Sequence, residues 1–170
     1  MCVMSTLPPA TNTYKLDKEI TSILKRSQID KKYLSANEHV TYADFLSNKM
    51  LMIFIIREGI PYSFFTLIQD LTPFSDLEWA NFLDLSTKSL QRYKQSSKNF
   101  RPIQSEKIIE MAEVTNVGID TFGSSAKFKL WLNTPNFSLG SLKPIELLMD
   151  SYGKEMVISE LTRINHGVFA

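Results

Sequence analysis

The side chains able to do covalent or acid–base chemistry are few. His39 and His166 are the two histidines, and Cys2 is the one cysteine. A nucleophile needs an activating base beside it, and a metal site needs several imidazole, thiolate or carboxylate groups that converge. Here His39 falls in a polar connector, Lys31 to His39. His166 lies near the carboxyl end, where packing or a hydrogen bond is the expected role. Cys2 stands in a proline-marked arm without the structured surroundings that activate a thiolate. One cysteine excludes an internal disulfide and a multi-cysteine zinc site, and fits a reducing compartment. There is no Gly-rich phosphate loop, no H-E-x-x-H and no G-x-S-x-G. Acidic neighbours such as Asp17 and Glu19 have nothing that marks them as shielded from water. The chain is expected to bind rather than to catalyse, and it calls for no metal and no cofactor.

The chemistry that does stand out is recognition. The segment Asp76 to Gln95 reads helix, tight turn, helix. In a helix-turn-helix the second helix enters the DNA major groove and its first turns reach the base edges. Leu85, Leu90 and Tyr93 supply an apolar packing face. Thr87, Lys88, Ser89, Gln91, Arg92 and Lys94 supply the exposed one. Basic residues continue beyond the helix: Lys88, Arg92, Lys94, Lys98, Arg101 and Lys107 stand between Ser86 and Lys107 against a lone acid, Glu106. Lys and Arg contacts to phosphate dominate DNA affinity and make it fall with salt. Gln91 and Arg92 suit bidentate pairing with adenine and guanine. The same pattern also describes a plain solvated helical hairpin, and a formal net charge of +1 is low for a protein whose main task is tight DNA binding.

The elements that must position these residues read as helices throughout. Glycine is scarce, six in 170 residues, and alternating polar–apolar runs are rare, which disfavours a sandwich or barrel. Met1 to Thr13 is expected to be a flexible arm, interrupted by Pro8 and Pro9. Tyr14 to Ser27 places Leu16, Ile20, Ile23 and Leu24 on one helical face. Thr41 to Arg57 reads as one helix that stops at Gly59 and Pro61. Tyr62 to Leu71 is a short apolar helix. Ser75 opens the next with Glu78 as a capping-box partner. Pro102 suits the first position of a helix running to about Val117. Ser124 to Leu132 is helical and ends at Asn133-Thr134-Pro135. Pro144 opens a short helix from Ile145 to Met149. Ser151 caps a last helix that reaches about Asn165 and is stopped by Gly167. On that last helix Met156, Val157, Leu161 and Ile164 form one apolar face.

Composition is that of a globular chain, with 44% hydrophobic and 22% charged residues, enough for one domain or two small ones. The apolar run from Met50 to Ile56 is too short to span a bilayer, which needs about 20 residues. The start shows no basic-then-apolar leader. A cytoplasmic setting without membrane contact is expected.

The carboxyl-terminal stretch from Phe122 to Ala170 resembles the toxin-binding domain of Xre/MbcA/ParS antitoxins. The matches come in the family's order: Phe122-Gly123, Trp131-Leu132, Thr134-Pro135-Asn136, Leu139-Gly140, Lys143-Pro144 with Leu147-Leu148, Gly153, and a last helix closing on Arg163-Ile164 and Gly167. Upstream, Arg57-Glu58-Gly59-Ile60-Pro61 and Leu90-Gln91-Arg92 resemble the antitoxins' helix-turn-helix region, so the likeness runs from about Phe45 to the end. It does not extend to the first forty residues, whose role the sequence leaves open. Most of the matched residues are fold-defining: Trp131, Leu132 and Phe128 share an apolar face, Pro135 ends a helix, and Gly140 permits a positive φ.

The resemblance implies an all-α chain with an Xre-like helix-turn-helix domain followed by a small helical toxin-binding domain. It divides the chain into an arm and helix (1–40), a DNA-binding and dimerisation domain (41–119) and a toxin-binding domain (120–170). The implied partner is a RES-domain toxin, which consumes NAD and is inhibited when the antitoxin's carboxyl segment covers its active site. The implied toxin-binding residues are Arg163, Ile164, Asn165, His166, Gly167, Val168, Phe169 and Ala170, with exposed parts of the Asn133-to-Leu142 loop. The implied DNA-binding residues are Thr87, Lys88, Ser89, Gln91, Arg92, Lys94 and Arg101, acting in a homodimer on operator DNA. The alternative is a stand-alone transcription regulator whose carboxyl domain dimerises or senses a ligand.

Overall fold

The computed structural model describes residues 10–26, 40–96 and 98–167. Among them are ten α-helices: α1 Ala10–Arg26, α2 Tyr42–Ser47, α3 Lys49–Glu58, α4 Tyr62–Leu71, α5 Asp76–Phe82, α6 Thr87–Gln95, α7 Pro102–Phe122, α8 Ser125–Leu132, α9 Pro144–Leu147 and α10 Ser151–Asn165. A 3-10 turn, Phe137–Leu139, and an isolated bridge between Asn136 and Leu142 complete the described elements. The chain is all-α. It packs as two compact units. One runs up to Asp70 and takes in Thr87–Ile109. The other is Leu71–Ser86 with the chain from Glu110 onward.

In the first unit α1 is an integral helix: Leu16, Ile20, Ile23 and Leu24 are buried at the spacing of one face. The Asp17 carboxylate accepts from the Tyr42 amide at 2.7 Å, and the Ser63 hydroxyl donates to Glu19 at 2.6 Å. These two acids fasten the amino-terminal helix to its neighbours. Beyond Tyr42, the expected single helix from Thr41 to Arg57 is two. Thr41 and Asp44 form a capping box for α2, and the chain turns extended at Asn48 (φ −107°, ψ 95°). The Asn48 side chain then accepts from the amides of Met50 and Leu51 and starts α3 afresh, as an N-cap asparagine does.

The end of α3 is fixed by contact as well as by conformation. Gly59 has φ 85°, and a Cβ there would lie 2.4 Å from the Phe100 carbonyl oxygen. The Phe100 amide donates to the Ile60 carbonyl at 2.8 Å, and the Ile60 amide donates to the buried Ser105 hydroxyl at 2.9 Å. Phe100 is the hub of an aromatic cluster, stacked on Tyr93 at 4.3 Å and edge-on to Phe65 at 5.1 Å. Such pairs add about 1 kcal/mol each beyond the area they bury.

In the second unit Phe74, Trp79 and Phe82 meet edge to face at 5.1 to 6.2 Å. The Ser75–Glu78 capping box starts α5 as the sequence indicates. Helix α7 does not stop near Val117; it continues to Phe122 and ends on Gly123 at φ 74°. Gly118 is therefore interior to the helix. It is small for packing: a Cβ there would lie 2.3 Å from the Phe128 ring. Helix α8 begins at an N-cap, Ser124, and buries Phe128 and Leu132. Pro144 opens α9, which ends at Leu147 rather than Met149. Asp150, not Ser151, holds the N-cap position of α10. Gly153 lets that helix approach α9, since a Cβ would stand 2.0 Å from the Leu147 carbonyl oxygen. Val157 and Leu161 are fully buried one and two turns further on. Lys154, mostly buried, bridges to Glu110 at 3.7 Å and Glu113 at 3.2 Å on α7.

Candidate interaction surfaces

The expected DNA-reading residues all belong to the first unit. Thr87, Lys88, Gln91, Arg92, Lys94 and Arg101 are exposed, and Ser89 is half-buried. The opposite face anchors α6: Leu90 is buried, and Tyr93 stacks on Phe100 while its hydroxyl donates to the Gln104 side chain at 3.2 Å. The same Gln104 oxygen accepts from the Arg101 amide at 3.3 Å, so α6 and the start of α7 share one buried polar group. Among the described residues Lys88, Arg92, Lys94, Lys98 and Arg101 have no acidic partner within ion-pair distance. Five exposed cations without local compensation make a surface suited to polyanions.

The expected partner-binding residues lie at the end of α10 in the second unit. Arg163 is half-exposed and donates to Glu160 at 2.8 Å. Ile164 is half-buried, and Asn165, His166 and Gly167 are exposed. His166 closes the helix, its ring Nδ1 lying 2.7 Å from the Thr162 carbonyl oxygen. A carbonyl only accepts, so the ring nitrogen carries the proton there. Val168, Phe169 and Ala170 lie outside the described residues, as do Cys2 and His39.

One expectation for α10 fails. Spacing puts Met156 on one apolar face with Val157, Leu161 and Ile164, yet it is 47% exposed. The buried stripe is Gly153, Val157 and Leu161, at strict four-residue spacing, and Met156 sits about 100° around the helix from it. Instead Met156 lines a groove of about 360 Å³ with Ser138, Leu139, Glu155, Ser159, Glu160 and Arg163. Two segments thus meet, the end of α10 and the loop after Pro135.

Phe137 is not among the residues singled out from the sequence within that loop, which the resemblance includes only as a stretch. Asn136 and Leu142 close it through the bridge, the Asn136 amide donating to the Leu142 carbonyl at 3.0 Å. The Asn136 side chain accepts from the Ser138 amide at 2.8 Å. Gly140 and Ser141 both take positive φ, 71° and 63°. Leu139 points into the unit and is buried, whereas Phe137 is 91% exposed. The signal was present as an aromatic residue between Asn136 and Ser138, in a loop otherwise polar and turn-forming. In the same unit Tyr152 is 84% exposed and Leu142 is 47% exposed. Of the acids that line the groove, Glu155 is exposed as well.

No three His, Cys, Asp or Glu side chains gather to hold a metal ion among the described residues. Among the same residues, no helix is long and apolar enough to cross a membrane.

The second unit is thus a small helical module whose last helix shares a groove with a loop that exposes an aromatic ring. Residues 118–167 match the family model of the antitoxin Xre/MbcA/ParS C-terminal toxin-binding domain. The chain is also similar to an antitoxin Xre of Yersinia enterocolitica, 32% identical over 87 residues that cover 51% of this chain and 59% of that protein. A second antitoxin Xre, from Photorhabdus laumondii subsp. laumondii, is 25% identical over 115 residues, 67% of this chain and 78% of that one. The chain therefore spans under two thirds of the first relative's length and more of the second's.

Proposed function

We propose that this chain is an antitoxin that neutralises a NAD-consuming RES-domain toxin, laying Arg163 to Ala170 over the toxin's active site. The observation that carries the reading is the match of residues 118–167 to a toxin-binding domain, on a module whose last helix lines a groove with the loop after Pro135. On this reading residues 1–40 supply an arm and a helix, 41–119 the DNA-binding and dimerising part, and 120–170 the toxin-binding part. The protein works in the cytoplasm, as a binding protein rather than a catalyst. As a homodimer it represses its own operon through α5 and α6, with the cations of α6 on phosphate and Gln91 and Arg92 at base edges. A two-fold operator suits a two-fold reader.

Co-expression of toxin and antitoxin tests the neutralising role. The full chain is expected to protect cells, and a chain cut after Thr162 is expected to lose protection. Full protection by the shortened chain removes the inhibitory role of the tail.

The exposed cations of α6 favour a second reading, a stand-alone transcription regulator. It is distinguished by salt-dependent operator binding without any toxin gene beside this one in the host genome.

A further inference from the structure

We propose that the loop Asn136–Leu142 is a second, rigid anchor for the toxin, with Phe137 as the inserted side chain and Glu155 and Met156 as its flank. This rests on the antitoxin reading above and names the partner's complementary chemistry: an apolar socket rimmed by basic side chains.

The loop is built to hold its aromatic ring outward. Backbone bonds from Asn136 to Leu142 and from Ser141 to Asn136, at 3.0 and 2.9 Å, close it. The Asn136 side chain ties down its first turn. Buried Leu139 pins it to the unit, and Ser141 takes a left-handed conformation that non-glycine residues adopt at a cost. A side chain already fixed in its docking position loses little freedom on binding, and aromatic anchors of this kind dominate interface energies. Phe137 is 91% exposed, so the ring contributes little to its own unit's core. Tyr152 and Met156 follow one stripe of α10 at four-residue spacing, and Met156 shares the groove with Ser138 and Leu139.

Charge selects the occupant. Glu155 is exposed and has no ion pair among the described residues, while Glu160 already holds Arg163. In a two-fold contact between copies of this chain the same patch meets itself. Glu155 would then face acids of its own kind, and like charges set against each other disfavour association. A toxin surface with an apolar hollow and flanking Lys or Arg satisfies both the ring and the carboxylate. The loop lies wholly inside the segment matched to a toxin-binding domain.

The test uses the full chain and a RES-domain protein, taken from the reading frame beside it where the host encodes one there. Phe137→Asp is expected to raise the dissociation constant by about 100-fold, with an unchanged melting midpoint and helical signal, because the position is in solvent. Glu155→Lys is expected to raise it about tenfold and to flatten its salt dependence. If Phe137→Asp binds like the parent chain while the form cut after Thr162 loses inhibition, the anchor is wrong and the antitoxin reading stands. If the parent chain forms no complex, both fall. If Phe137→Asp instead converts a dimer of the isolated chain to a monomer, the ring's occupant is a second copy and the toxin assignment is overturned.

Discussion

The surface of α6 and the face formed by the loop and α10 are built on opposite principles. On α6 the exposed groups are long, charged and separately solvated, and the helix is held from behind by Leu90 and the Tyr93–Phe100 stack. On the second unit the exposed groups are apolar and held in place by backbone bonds and positive-φ turns. The first arrangement attracts at a distance, weakens with salt and tolerates small displacements. The second acts at contact, where shape decides and a fraction of an ångström matters. One chain thus carries one surface suited to a polyanion and another suited to a shaped protein partner.

Four substitutions break or sharpen this contrast. The largest effect is expected at Gly153, where a methyl group meets the Leu147 backbone, which cannot swing aside. Gly153→Ala should cost about 3 kcal/mol and lower the melting midpoint, measured by differential scanning calorimetry. A parent-like midpoint would show that α9 and α10 can separate freely. Next is Lys154→Ala, which leaves Glu110 and Glu113 facing each other without their shared cation. A loss of about 2–3 kcal/mol is expected in urea unfolding near neutral pH.

Arg92→Ala is expected to leave folding unchanged and to weaken operator binding by about 1–3 kcal/mol. Binding titrations at several salt concentrations check it, and equal affinity at all of them takes Arg92 off the contact surface. The smallest effect is expected for Tyr93→Phe. It keeps the ring stack and removes one hydrogen bond to Gln104, worth about 1 kcal/mol in chemical unfolding. A much larger loss would mean that the polar link, rather than the stack, positions α6.

Much of the helical plan was legible in the sequence because local signals and tertiary packing agree there. The Ser75 capping box, the helix of Thr87 to Gln95, the stop at Pro135 and the stripe Leu16, Ile20, Ile23 and Leu24 all follow from residue type and spacing. The failures have physical causes. Asn48 breaks a helix that periodicity alone continues, because its side chain outcompetes the backbone for two amides. The helix expected to end near Val117 runs on because Gly118 is a notch for Phe128, a partner that spacing cannot reveal. Helices α5 and α6 are adjacent in sequence yet belong to different compact units, which no local pattern reports. Of the candidate sites, charge and exposure on α6 were readable directly, whereas the outward turn of Phe137 depends on a loop whose closure is set by bonds between residues six apart.

The exposed side chains of Phe137, Tyr152 and Met156 on the second unit have a calorimetric consequence. Water ordered around those carbons is released when they are covered, so association through this face should show a pronounced negative change in heat capacity. Its enthalpy will then become steadily more favourable on warming, while its strength stays nearly constant across moderate temperatures. A titration series between cold and warm conditions would therefore distinguish docking of this face from the ionic attachment of α6.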